Sequence, residues 1–118
     1  MKKIEAIIRE EQFELMKKKL QEIDVNGVTI TQVMGFGMRK GWTEYVRGSN
    51  VEVNLLPKIK LEIVVSSEEW AEKTIKAIKE VAYTDNPGDG KIFVWTIEEA
   101  IRIHTGETGV DALNYNYS

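Results

Sequence analysis

Hydrophobic and polar positions change period several times along this chain, and each change marks an element. Ile4, Ala6 and Ile8 alternate with Lys3, Glu5 and Ile7, which predicts a first strand with one wholly apolar face. From Glu10 to Ile23 the period lengthens. Phe13, Met16 and Leu20, flanked by Leu15 and Ile23, predict an amphipathic helix. Asp24 to Gly27 breaks it, and the β-branched, alternating run from Val28 to Met34 predicts a second strand. Lys58 to Val65 predicts a third, with Ile59, Leu61, Ile63 and Val65 on one face. Ser66-Ser67-Glu68-Glu69 matches a capping box with Ser66 as N-cap, and the helix behind it should bury Ala71, Ile75, Ile78 and Ala82. Asp85 to Gly90 is a dense turn signal, and Ile92 to Trp95 reads as a fourth strand. Ile97 to Ala100 is expected to form one helical turn, and Ile101 to His104 a short extra strand.

Between Gly35 and Pro57 neither period survives. Gly35, Gly37, Gly41 and Gly48 punctuate a polar stretch, and a connection this long in a small domain is commonly functional or mobile. The order is therefore β-α-β, long loop, β-α-β: an α+β, ferredoxin-like fold whose antiparallel sheet has helices on one face only. Ile7, Val33, Val64, Phe93 and Trp95 add apolar surface to the second face. Burying such a face takes another sheet or another subunit, so the pattern predicts an oligomer.

Composition narrows the function. A chain of 118 residues suits one domain, and 42% hydrophobic with 30% charged residues is an ordinary globular balance. A formal charge of −3 argues against a general nucleic-acid binder, which needs a basic excess. With no cysteine there are no disulfides, Cys-type zinc sites or thiol catalysis. No apolar run approaches the roughly 20 residues that span a bilayer, and the N-terminus lacks the apolar core of a signal peptide. A cytoplasmic location without membrane insertion is the expectation.

No nucleophilic triad is visible, and His104 is the sole histidine. The carboxylate pairs Glu10-Glu11, Glu68-Glu69 and Glu98-Glu99 each fall near an expected helix start, where the dipole favours negative charge. The informative stretch is Gly88-Asp89-Gly90-Lys91, between a helix and a strand. Glycines let backbone N–H groups approach an anion, and the lysine adds a point charge. Its spacing is not that of the Walker P-loop. Arg102 and His104, two apart on the expected strand, would share a face as a basic pair. Such a pair could complete a phosphate site by reaching the glycine loop of a neighbouring subunit.

These blocks together resemble the PII nitrogen-regulatory signalling proteins over almost the whole chain. The resemblance is carried by the first strand, Met1 to Arg9, and by Gly35-Phe36-Gly37, Lys40-Gly41, Thr43-Glu44 and Arg47-Gly48 of the family's T-loop. Leu56 to Val65 matches the loop's exit and the third strand. The most specific blocks are Gly88 to Val94, Glu98 to Ile103, and Thr105-Gly106-Glu107. The resemblance implies one domain over residues 1–118, with a T-loop at about 37–55, a nucleotide loop at about 84–91 and a C-terminal segment at 97–118. It further implies a homotrimer that binds ATP or ADP in each cleft between subunits, is not an enzyme, and docks its T-loop into a transporter or an enzyme of nitrogen metabolism. By the same resemblance Gly88, Asp89, Gly90 and Lys91 cradle the phosphates, Arg102 joins them from the neighbour, and His104 stands where a second arginine is usual. Gly27, Val28, Thr29, Glu62 and Val64 match positions around ribose and adenine. Gly37, Met38 and Arg39 match the loop entry beside the nucleotide, and Lys40 and Lys58 match effector-binding positions.

Departures from the family pattern bear on regulation. Thr84-Asp85-Asn86-Pro87 replaces the usual Thr-Gly-Lys-aliphatic run, and Met38-Arg39 replaces an Arg-Gln pair. The missing glutamine supplies an oxygen to Mg²⁺ in relatives that sense 2-oxoglutarate. Arginine offers no acceptor, so Mg²⁺ use is in question and a weak 2-oxoglutarate response is expected. Val51 stands in place of the tyrosine that uridylylated members modify, and Ser49 coincides with a serine phosphorylated in some members. The segment after Gly109 has no evident counterpart. Ferredoxin-like folds also serve RNA binders, small phosphatases and metal-binding trimers. An RNA binder would need a basic, aromatic sheet motif that the sequence lacks. The chief alternative is a divergent paralogue serving a pathway other than nitrogen control.

Overall fold

A computed structural model describes residues 1–25, 27–36 and 55–113. The elements are β1 (Lys2–Arg9), a 3-10 turn (Glu10–Gln12), α1 (Phe13–Glu22), β2 (Val28–Gly35), β3 (Leu56–Val65), α2 (Glu68–Ala82), β4 (Gly90–Thr96) and a second 3-10 turn (Gly109–Leu113). One antiparallel sheet runs in the order β2-β3-β1-β4. The expected ferredoxin-like arrangement is the one observed.

Register explains which residues form the core. β1 sets Ile4 against Ile63 and Val94, Ala6 against Leu61 and Ile92, and Ile8 against Ile59. These even positions of β1 turn to the helices, where Met16 and Leu20 of α1 and Ala71 and Ile78 of α2 close over them. Val25 and Val65 complete the buried set.

The second face carries the other half of each strand. Ile7 lies opposite Lys60 and Lys91, Glu5 opposite Phe93, Lys3 opposite Val64 and Trp95, and Val33 opposite Lys58. The five apolar residues expected there are thus on that face, with Phe93 and Trp95 exposed. They sit among charges: Lys3 Nζ is 3.1 Å from Glu62 and 5.2 Å from the Trp95 ring, and Lys60 Nζ is 3.5 Å from Glu62.

Local details differ from the sequence reading. Ser67, not Ser66, caps α2: its hydroxyl accepts from the Trp70 N–H at 3.2 Å, which puts Trp70 rather than Glu69 at the capping-box position. Thr74 is fully buried in α2 because its hydroxyl donates to the Trp70 carbonyl at 2.7 Å, while Ile75 is only half-buried. α1 begins at Phe13, and Leu15 is exposed. Residues 97–100 are not helical, and residues 101–104 are not a strand: they make only a single bridge, Ile101 to Thr108. No helix among the described residues is long and apolar enough to cross a membrane.

Candidate functional site

Two regions gather the residues singled out in the sequence, and they lie at opposite ends of β1. The first is the loop from Thr84 to Gly90. Gly88 (φ 97°) and Gly90 (φ 117°) adopt backbone conformations that other residues rarely take. At Gly90 a side chain would also overlap the Ile7 carbonyl, so glycine there is required twice over. Asp85 is left-handed as well, at φ 63°.

The loop is held from inside. Thr84 gives Asp89 both its backbone N–H, at 2.7 Å, and its hydroxyl, and Arg9 Nε approaches the same carboxylate at 3.2 Å. These hydrogen bonds from Thr84, with the Arg9 cation, hold the Asp89 carboxyl down at about 2. Arg9 also donates to the Pro87 carbonyl at 2.7 Å, and Lys58 Nζ to the Gly88 carbonyl at 2.7 Å. The Asp89 carboxylate is therefore an anchor of the loop. Lys91 is exposed at the start of β4, on the face it shares with Arg9 and Lys58. Arg9 was missed in the sequence. Drawing the antiparallel pairs would have found it, since it lies opposite Lys58.

The second region is a groove of about 450 Å³ at the other end of the sheet. One wall is Lys3, Gly27, Thr29, Glu62 and Val64, and the other includes Ile97, Glu99, Arg102 and Leu113. Four of the five residues expected around ribose and adenine thus meet Arg102. Val28, the fifth, turns its side chain to the core. Lys3 and Lys60 hold the Glu62 carboxyl below the usual range, with the hydrogen bond from Lys3 the largest cause. Arg102 donates to the Ala112 carbonyl at 2.9 Å and lies 3.8 Å from Glu107. Glu99, expected near a helix start, instead accepts from the N–H groups of Ala100 and Gly109 at 3.1 and 3.0 Å.

Lys3 and Arg9 are six residues apart on β1, so about 20 Å separates the groove from the glycine loop. Arg102 and Lys91 of one protomer do not meet. Nor do Arg102 and His104 form a strand pair: His104 lies exposed in a turn. Gly37, Met38, Arg39 and Lys40, with Ser49 and Val51, lie outside the described residues. Among the described residues no cluster of three or more His, Asp or Glu could hold a metal ion, and the Glu62 and Asp89 carboxylates are already engaged.

Curated relatives include nitrogen regulatory protein P-II of Rhizobium meliloti, 51% identical over 113 residues, and that of Bradyrhizobium diazoefficiens, 50% identical; each alignment covers 96% of this chain and all of the relative. The segment after Gly109 therefore falls partly within the aligned length. Among solved structures, B. subtilis GlnK matches with a TM-score of 0.77 at 40% identity, covering 94% of this chain and 96% of that one. The B. subtilis GlnK–ATP complex matches at 0.76 and 37%, covering 94% and 95%. The family model described as nitrogen regulatory protein P-II matches residues 1–107. With its ferredoxin-like protomer, the chain belongs to the P-II family of nitrogen regulatory proteins.

Proposed function

We propose that this chain is a non-catalytic cytoplasmic regulator that binds ATP or ADP in the clefts of a homotrimer. The observation that carries the reading is the separation of the two regions. Each protomer holds a glycine loop with a lysine at one end and an arginine-bearing groove at the other, about 20 Å apart. A single nucleotide joins them only if two copies meet. In the proposed site Gly27, Thr29, Glu62 and Val64 receive adenine and ribose, with Val28 contributing through its backbone. Arg102 and, from the adjacent turn, His104 of the same copy approach the phosphates. The neighbouring copy supplies Gly88, Asp89, Gly90 and Lys91, with Gly37, Met38 and Arg39 from its loop. Likeness to the GlnK–ATP complex supports a nucleotide as the ligand. The segment 37–55 would be the output, docking into a target such as a membrane transporter or an enzyme of nitrogen metabolism.

Calorimetry with ATP tests the site. Lys91 is exposed and makes a charge-assisted phosphate contact in this reading, so Lys91→Ala should weaken ATP about ten- to a hundredfold, or roughly 1.5–3 kcal/mol. Unchanged affinity would remove the glycine loop from the site.

Met38-Arg39 favours a second reading, a divergent paralogue with little or no response to 2-oxoglutarate. Arg39 has donors and a permanent charge but no acceptor for Mg²⁺. Lys40 and Lys58 would be left to hold an effector carboxylate, and Lys58 already holds the Gly88 carbonyl. Titration of 2-oxoglutarate with ATP and Mg²⁺ should show binding only after Arg39→Gln. Tight Mg²⁺-dependent binding to the natural chain would contradict it.

A further inference from the structure

The block Thr105-Gly106-Glu107 has no part in the proposed nucleotide site, yet it is built closely around Arg102. The Arg102 N–H donates to the Glu107 carbonyl at 2.9 Å, and the Gly106 N–H donates to the Arg102 carbonyl at 2.8 Å. Gly106, at φ 76°, makes the turn that lets both bonds form. The Glu107 side chain is held by the Thr105 hydroxyl, which donates at 2.8 Å to Oε1, the same oxygen that faces Arg102. That carboxylate faces Arg102 Nε at 3.8 Å while Arg102 Nη2 holds the Ala112 carbonyl at 2.9 Å. The arginine side chain is only 8% exposed, against 40% for Glu107.

We propose that Glu107 is a positioning residue, which holds the Arg102 guanidinium at the wall of the groove before a nucleotide arrives. This inference rests on the reading that Arg102 meets a phosphate. A free arginine side chain samples many rotamers and loses them on gripping an anion. Here that ordering is completed on folding, so binding does not bear it again. A guanidinium carries five N–H donors, enough to keep a carbonyl and a facing carboxylate while meeting a phosphate. The opposing effect is repulsion between Glu107 and the phosphate. Solvent at the half-exposed carboxylate screens that repulsion, and ordering of the arginine outweighs it.

The test is a double-mutant cycle on the full-length assembly, with ATP affinity read by calorimetry and folding checked by thermal melting. Glu107→Ala should weaken ATP about three- to fivefold. Glu107→Gln, which keeps an acceptor oxygen, should stay within about twofold of the natural chain. In an Arg102→Ala background Glu107→Ala should cost nothing further, because the group it positions is gone. Tighter or unchanged binding in Glu107→Ala, or the same loss in both backgrounds, would overturn the positioning role alone. ATP binding indifferent to Arg102→Ala would overturn the phosphate role of Arg102 and this inference with it.

Discussion

The two ends of the sheet carry the two parts of the proposed site, and they are built in different ways. At the Gly88 end the polar groups are already matched: two cations hold two loop carbonyls, and Asp89 is bonded to Thr84 and Arg9. Little there needs to move for the loop to present its amide N–H groups. At the Arg102 end the wall is also ordered, but it borders an open groove of about 450 Å³. One end is a finished edge, and the other is a receptacle. In the proposed site the braced loop of one copy meets the groove of the next, which suits closed, head-to-tail assembly in which each end serves a different neighbour.

The comparison can be broken most sharply at Gly90. Its φ of 117° and the Ile7 carbonyl leave no room for a methyl group. Gly90→Ala should therefore cost about 3 kcal/mol or more, or yield no folded protein. Gly106→Ala meets nothing within 4 Å and bears only the cost of its φ, about 1 kcal/mol. Urea denaturation of both variants checks the contrast, and equal losses would mean that the loop end is no tighter than the groove end.

Asp89 gives the finished edge a pH signature. Its carboxyl is held at about 2, below its ordinary value near 4. A depressed carboxylate stabilises fully above the unfolded value, and that contribution disappears as pH falls through the folded one. Asp89→Asn should thus be less stable than the natural chain at pH 5, with the gap closing toward pH 2. A gap of the same size at both pH values would show that the charge of Asp89 does not hold the loop.

The smallest effect is expected at Lys58. Losing its bond to the Gly88 carbonyl, Lys58→Ala should cost about 1 kcal/mol and speed amide exchange in residues 84–90 while sparing the groove. Exchange that rises equally at both ends would mean they are not independent.

What could be read from the chain follows from which interactions leave a periodic trace. Strands β1 and β3 alternate strictly because one face is buried, and that face was legible from Ile4 to Ile8 and Ile59 to Val65. Ile101 and Ile103 also alternate, but they are 65% and 99% exposed, so their pattern reflects no burial within the protomer. Reading them as a strand placed Arg102 and His104 on one face when a turn separates them. Two adjacent serines hid the true cap, because Ser66 with Glu69 fits a pattern that Ser67 satisfies by geometry instead. The groove was anticipated through family resemblance rather than physics. Gly27, Glu62 and Arg102 are far apart in sequence, and only the folded chain brings them together. Arg9 and Glu107 act through hydrogen bonds to backbone or to another side chain, and such contacts have no period at all.

The central claim is that two copies of the chain build one nucleotide site, and mixed assemblies test it directly. Lys91→Ala and Arg102→Ala chains, each carrying a different tag, would be expressed separately and together. Each alone should bind ATP weakly at every site. In trimers that contain both chains, a seam that takes Lys91 from one chain and Arg102 from the other is intact, and a mixed ring of three has one such seam, roughly a third of its sites. Purification through both tags, followed by ATP titration, should recover a minority of sites with the affinity of the natural protein. A mixed assembly in which every site stays weak would contradict the account, because it would place Lys91 and Arg102 in one protomer's site.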